Sequence, residues 1–167
     1  DLSQSRGLGD VYKRQWMPFS PWTNQNDLID IIKLIENYKL RETVDPIQLT
    51  IKLLIPKNSL ILQRSEIKGY LKDYDKNSLS YMWDYKNEEV NSLQVSLFNY
   101  LLDTPDLDEH SQYLGMVKII ENMTQSNLIS DLNYSYKNVP KLSETWFCCA
   151  EPSQIQLDRI KTNTALI

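Results

Sequence analysis

VDPIQLTIKLLIPKNS, residues 44–59, is the stretch on which the fold turns. Between Pro46 and Pro56 the side chains alternate. Ile47, Leu49, Ile51, Leu53 and Ile55 fall on one side, and Gln48, Thr50, Lys52 and Leu54 on the other. Period-two alternation places successive side chains on opposite faces of a strand, so the pattern predicts a strand over 47–55. PKNS then reads as a turn, with Leu60–Leu62 as a further strand or edge segment. Upstream, WMPFS (16–20) reads as a short buried strand whose hydrogen bonding is limited by Pro18 and Pro21. Between the two lies a helical pattern. Thr23 or Asn24 can cap it, and Leu28, Ile31, Ile32 and Ile35 recur at i, i+3, i+4 and i+7. Strand, helix, strand is one βαβ unit, with parallel strands expected. A single such unit cannot cover its own sheet, so the pattern implies the edge of a larger sheet or barrel.

After residue 62 the character changes. SEIKGYLKD (65–73) reads as a short helix, and NSLSYMWDYKN (77–87) as aromatic and irregular. NEEVNSLQVSLFNYLLD (87–103) predicts a helix with Val90, Leu93, Leu97 and Leu101 on one stripe and Glu88 and Glu89 in its first turn. DLDEHSQYLGMVKIIENM (106–123) predicts a second, presenting His110, Leu114, Val117 and Ile120. NLISDLNYSYKN (127–138) is either a fraying helix or a loop, and Pro152 opens a last helix bearing Ile155 and Ile160.

The first fifteen residues stand apart. SRGLGDVYKRQ (5–15) matches the translation of a transposase adapter used in making sequencing libraries. Residues 1–15 are therefore expected to be an adapter-derived artefact of a metagenomic-type library, and the natural frame is expected to extend upstream of Trp16. The alternative is a basic arm, Arg6, Lys13 and Arg14, for an anionic partner. Setting these residues aside removes three basic and two acidic side chains, leaving 15 Lys/Arg against 20 Asp/Glu, a net charge of −5. A mildly acidic chain without a Lys/Arg cluster argues against nucleic acid as a partner. No apolar run approaches the roughly 18 residues of a membrane span, so no membrane association is expected.

The only two cysteines, Cys148 and Cys149, are adjacent in WFCCAEPSQ (146–154). Neighbouring Cα atoms lie about 3.8 Å apart, closer than the roughly 4.4–6.8 Å of ordinary disulfides, and a structural zinc site needs four ligands where only His110 could join them. Two readings stay open: small buried hydrophobes between Phe147 and Ala150, or reactive thiols. Two adjacent cysteines are no secretory disulfide framework, and the expected compartment is the cytoplasm. His110 sits on an apolar stripe without triad partners and carries no assigned chemistry. The polar face Gln48, Thr50 and Lys52, with Ser20, Trp22 and Thr23 at a strand's C-terminal end, lines a ligand site if the strands belong to a barrel, and faces water if they form an open edge.

WMPFSPWT (16–23), VDPIQLTIKLLIPKNSLIL (44–62), LSYMW (79–83) and above all KLSETWFCCAEPSQ (141–154) together resemble the C-terminal region of radical SAM proteins with a cobalamin-binding-type N-terminal domain, the group named for its CUAEP or CCAEP tail. The resemblance runs from Trp16 to about Leu157. It implies an α/β to α+β chain in which a terminal βαβ remnant of a partial TIM-type barrel (16–62) is followed by a mainly helical extension (63–140) and the CCAEP tail (141–167). It implies that the intact parent is an enzyme, whose 4Fe–4S cluster, held by a CxxxCxxC loop, cleaves S-adenosylmethionine reductively for radical chemistry on an unknown substrate. Cobalamin belongs to the same picture where the N-terminal domain binds it. This chain contains no CxxxCxxC. Cluster, S-adenosylmethionine and cobalamin are thus expected in preceding regions of the same protein, which become this chain's partners, and the fragment alone is expected to bind none of them and to be inactive. The resemblance sets Cys149 where relatives of this selenoprotein-containing group carry selenocysteine, with Cys148 beside it, so it favours the reactive-thiol reading for the pair. It also sets Lys52 where the family pattern favours Arg, a change that keeps charge but loses the bidentate fork. Outside the resemblance stand two rivals: a non-catalytic helical interaction module in 63–140, and a small thiol redox protein.

Overall fold

Asn24 starts the first helix. Its side chain accepts from the amides of Asn26 (2.8 Å) and Asp27 (3.3 Å), while the Asp27 carboxylate accepts from the Asn24 amide at 2.8 Å. This reciprocal box satisfies donors that a helix start leaves unpaired. The computed structural model describes residues 17–129. Within them helix α1 (Gln25–Asn37) buries Leu28, Ile32 and Ile35. It ends where Lys39 takes a left-handed φ of 54° and the Leu40 amide reaches back to the Ile35 carbonyl at 2.8 Å.

The segment after α1 corrects the sequence reading. Instead of a strand over 47–55, Pro46–Thr50 forms a 3₁₀ turn. Pro46 sits at its start with φ already fixed, and the Asp45 carboxylate caps the Ile47 amide at 3.1 Å. Alternation is lost, because Gln48, Leu49, Thr50 and Ile51 are all buried. The expected strand pairing shrinks to one parallel bridge between Phe19 and Lys52. The Phe19 amide donates to the Ile51 carbonyl at 3.3 Å, and the Leu53 amide donates to the Phe19 carbonyl at 2.8 Å. Among the described residues of WMPFS, Phe19 alone enters regular pairing. Leu60–Gln63 is a second 3₁₀ turn rather than a strand.

Two further corrections concern residues 65–87. The short helix expected over 65–73 is a 3₁₀ turn at Ser65–Ile67 followed by strand β1 (Leu71–Asp75). The segment read as irregular contains β2 (Ser80–Trp83). These strands pair antiparallel, with Leu71 opposite Trp83, Tyr74 opposite Tyr81 and Asp75 opposite Ser80, and an irregularity between Leu71 and Tyr74. Asp75 closes the turn by accepting from the amides of Asn77 (2.9 Å) and Ser78 (3.2 Å), and Leu79 takes a positive φ of 55°. Segment 51–55 docks on the hairpin. The Tyr81 amide donates to the Ile55 carbonyl at 2.8 Å, the Ile55 amide to Ser80 Oγ at 3.0 Å, and Trp83 Nε1 to the Leu53 carbonyl at 2.9 Å.

Helices α2 (Glu88–Asp103) and α3 (Glu109–Thr124) complete the chain's mixed α/β fold of three helices and one two-stranded antiparallel sheet among the described residues. In α2 the stripe Val90, Leu93, Leu97 and Leu101 is buried as its periodicity predicts. In α3 the buried face is Tyr113, Met116, Val117 and Ile120, so His110 and Leu114 lie at its margin. Gly115 lets α3 approach Tyr100 of α2 closely, since a Cβ there would meet Tyr100 Oη at 2.0 Å. After α3, Gln125 turns left-handed, and Glu121 Oε1 accepts from the amides of Leu128 (2.6 Å) and Ile129 (3.1 Å), which folds Leu128 into the core. The larger hydrophobic cluster joins Phe19, α1, Val44, Leu49, α2, α3 and Leu128, drawing on both sides of residue 62. A smaller one, Ile55, Ile67 and Trp83, underlies the hairpin, and Tyr85 packs against both.

Candidate functional site

The six residues proposed to line a barrel lumen fall into three settings. Ser20, Trp22 and Thr23 share one turn at the entry to α1. Thr23 Oγ1 donates to the Pro18 carbonyl (2.9 Å), receives the Ser20 amide (2.9 Å) and lies 3.0 Å from Ser20 Oγ. The turn thus consumes its own hydroxyl chemistry. Trp22 stands partly exposed, edge-on to Tyr70 at 6.3 Å.

Gln48 and Thr50 belong to the 3₁₀ turn, which packs against α2 and α3. Thr50 Oγ1 donates to the Ile47 carbonyl at 2.8 Å, and the Thr50 carbonyl accepts from Gln94 Nε2 at 3.1 Å. Gln48 is buried, and its Oε1 has no hydrogen-bond donor. Buried polar atoms nearly always find a partner, so Gln48 Oε1 is a buried acceptor left unused among the described residues.

Lys52 sits across the parallel bridge from Phe19 and is half-buried. Its Nζ lies 5.0 Å from the ring centre of Trp83 and 5.5 Å from that of Tyr85. Those rings meet edge to face at 4.7 Å, and Tyr85 meets Phe19 in the same manner at 6.3 Å. An ammonium over two aromatic faces is attracted by their quadrupoles. The corner holds a cation supplied by the chain itself, and Lys52 there has π-faces rather than a carboxylate as its neighbours. Sequence reasoning missed Trp83 and Tyr85 as its partners; the signal was the aromatic density of SYMWDY.

Compared with family models, curated proteins and solved structures, the chain matches none.

A second cluster was not foreseen. Arg41, at the end of the α1 exit turn, is buried and donates Nε to both Glu36 carboxylate oxygens (2.8 and 3.0 Å) and Nη2 to Oε2. Tyr113 Oη, from α3, donates to Glu36 Oε1 at 2.7 Å. The arrangement ties α1 to α3 and leaves no oxygen of Glu36 bare for substrate. Among the described residues two carboxylates titrate below the ordinary aspartate value of 3.8. Asp75 is lowered chiefly by the Asn77 amide and then by Ser78, and Asp108 chiefly by the Ser111 hydroxyl and then its amide. Asp75 is a half-buried turn residue and Asp108 an exposed helix cap.

Among the described residues no group of three His, Cys, Asp or Glu side chains can hold a metal ion, and no helix is long and apolar enough to cross a membrane. A 4Fe–4S cluster does not fit this chain's own side chains, because the full sequence offers two cysteines and no CxxxCxxC. Cys148 and Cys149, and the last helix expected from Pro152, lie outside the described residues.

Proposed function

We propose that this chain is the C-terminal part of a cytoplasmic radical SAM enzyme of the CUAEP/CCAEP-tail group. The observation that carries this reading is the FCCAEP element at 147–152, in order with PFSPWT (18–23) and IKLLIP (51–56). The geometry offers support of a coarser kind. Phe19 and Lys52, the second residue of each of the last two motifs, are joined by a parallel bridge with helix α1 between them in the chain, the connectivity of a βα-barrel edge. In this reading residues 16–62 complete the distal wall of a barrel whose earlier strands, cluster and S-adenosylmethionine site precede residue 16. The adenosyl radical chemistry belongs to those regions, and no step of it is assigned to a side chain described above. The described residues would contribute packing: the Ser20–Thr23 turn is tied by its own hydrogen bonds, Thr50 by the Ile47 carbonyl and Lys52 by two rings, an arrangement that would help to exclude competing reactions. The Cys148–Cys149 tail would present a soft nucleophile or redox centre to the barrel or its substrate.

The test is to amplify the natural DNA upstream of codon 16 from the source sample and read the frame. Continuation into a barrel bearing CxxxCxxC supports the reading. The full-length protein, reconstituted with iron and sulfide, should then form 5′-deoxyadenosine from S-adenosylmethionine. A start codon immediately before Trp16 refutes it.

A further inference from the structure

Helix α2 carries two apolar stripes, and only one faces the core. Val95, Phe98 and Leu102, at i, i+3 and i+7, lie on a second side of the helix whose centre is roughly 130° from that of the buried stripe Val90, Leu93, Leu97 and Leu101 at 3.6 residues per turn. Val95 is 46% exposed and Leu102 41%, with Phe98 half-buried between them. A helix needs one such stripe to join a core, so the second is surplus to the packing of the described residues.

The electrostatics around this face are one-sided. From Asn87 to Val117 the chain has no Lys or Arg and six Asp or Glu. Glu88 stands two turns before Val95 on the same side of α2, and Asp103 and Asp106 follow Leu102. All three are exposed, and none forms an ion pair among the described residues. Residues 51–86, by contrast, hold seven Lys or Arg against four Asp or Glu. The negative field is therefore concentrated on the α2–α3 hairpin, and a cationic partner is drawn there rather than to the β-hairpin.

We propose that the Val95–Phe98–Leu102 face of α2 docks a basic amphipathic helix, with apolar residues at i, i+3, i+4 and i+7 flanked by Lys or Arg. The charge argues for this occupant over the alternatives. A second copy pairing through the same face sets acidic helix ends against acidic helix ends, which is repulsive. The chain's own segment 130–167 has four acidic and four basic residues, so it brings no excess of positive charge. An apolar surface flanked by carboxylates, receiving the apolar face of a cationic amphipathic helix, follows an established recognition mode. The inference stands apart from the radical SAM reading.

The experiment uses the 167-residue chain and a synthetic helical peptide of leucine and lysine at that spacing, with a peptide of the same composition in scrambled order as the control, followed by calorimetry and fluorescence anisotropy. The expected result is saturable one-to-one binding of the patterned peptide and weaker binding as salt rises. Val95→Gln with Leu102→Gln should raise Kd roughly tenfold or more, Asp103→Asn with Asp106→Asn should raise it less, and Leu60→Gln, at an exposed position outside the helices, should leave it unchanged. Circular dichroism checks the fold, and the two single Gln variants replace the double one if it unfolds. Equal binding of patterned and scrambled peptides, equal binding by the double Gln variant, or no binding overturns the proposal. So does sedimentation showing a dimer that the double Gln variant abolishes, which assigns the face to a second copy.

Discussion

Replacing Arg41 by Met should strand a buried negative charge. Arg41 is 3% exposed and grips both oxygens of Glu36, whose own side chain is 7% exposed. Met keeps much of the aliphatic stem but removes the cation, leaving Tyr113 Oη at 2.7 Å as a remaining donor to the carboxylate. Breaking a buried pair from one side costs about 3–5 kcal/mol, whereas neutralising both partners is often close to neutral. At about 2–4 °C per kcal/mol for a chain of this size, the melting temperature of Arg41→Met should fall on the order of 10 °C. Adding Glu36→Gln removes the charge and keeps an oxygen for Tyr113, so the double variant should recover most of the loss. Urea unfolding of the parent, both single variants and the double variant gives the coupling directly. If Glu36→Gln fails to rescue Arg41→Met, the cost lies in the packing of the arginine stem and the stranded-charge reasoning is wrong.

Three further perturbations probe other joints. Gly115→Ala forces Tyr100 away from a Cβ that would lie 2.0 Å from its hydroxyl. Urea unfolding should show a loss of about 1–3 kcal/mol, and combining it with Tyr100→Leu should relieve the clash and make the two changes non-additive. Asn24→Ala removes the acceptor for the Asn26 and Asp27 amides and should cost about 1 kcal/mol in the same assay. Asp108 is held below 3.8 by Ser111 in the folded chain. Its contribution is therefore present above that value and lost as pH falls through the lowered one, and Asp108→Asn should flatten the melting temperature against pH in this acid window.

The helices were legible in the sequence and the strands were not, for physical reasons that particular residues expose. In α2 the i, i+3, i+7 and i+11 stripe and two first-turn glutamates point the same way, and the buried face follows. Residues 47–55 carry an equally regular pattern, yet Asp45 and Pro46 wind the chain into a 3₁₀ turn, so Gln48 and Thr50 turn inward beside Leu49. The hairpin escaped notice because its turn, Asp75–Ser80, has no glycine. The Asp75 carboxylate and a left-handed Leu79 do the work usually signalled by Asn-Gly or Asp-Gly. Ser20, Thr23 and Lys52 were singled out by their position in the sequence, but their contacts come from Pro18 and from Trp83 and Tyr85, more than thirty residues further along the chain from Lys52. The Glu36–Arg41–Tyr113 cluster joins residues 77 positions apart, and nothing local in α1 announces it.

The two hydrophobic clusters differ greatly in size, and Tyr85 is a wall common to both. Amide exchange should therefore divide the chain into two cooperative units. The amides of α1, α2 and α3 exchange only through global unfolding. Those of Leu71–Trp83 exchange through a lower-energy opening in which Ile55, Ile67 and Trp83 separate while the helical unit stays intact. In that opened form tryptic cleavage at Lys76, at the hairpin tip, should speed up, and loss of Trp83 burial should precede loss of helix.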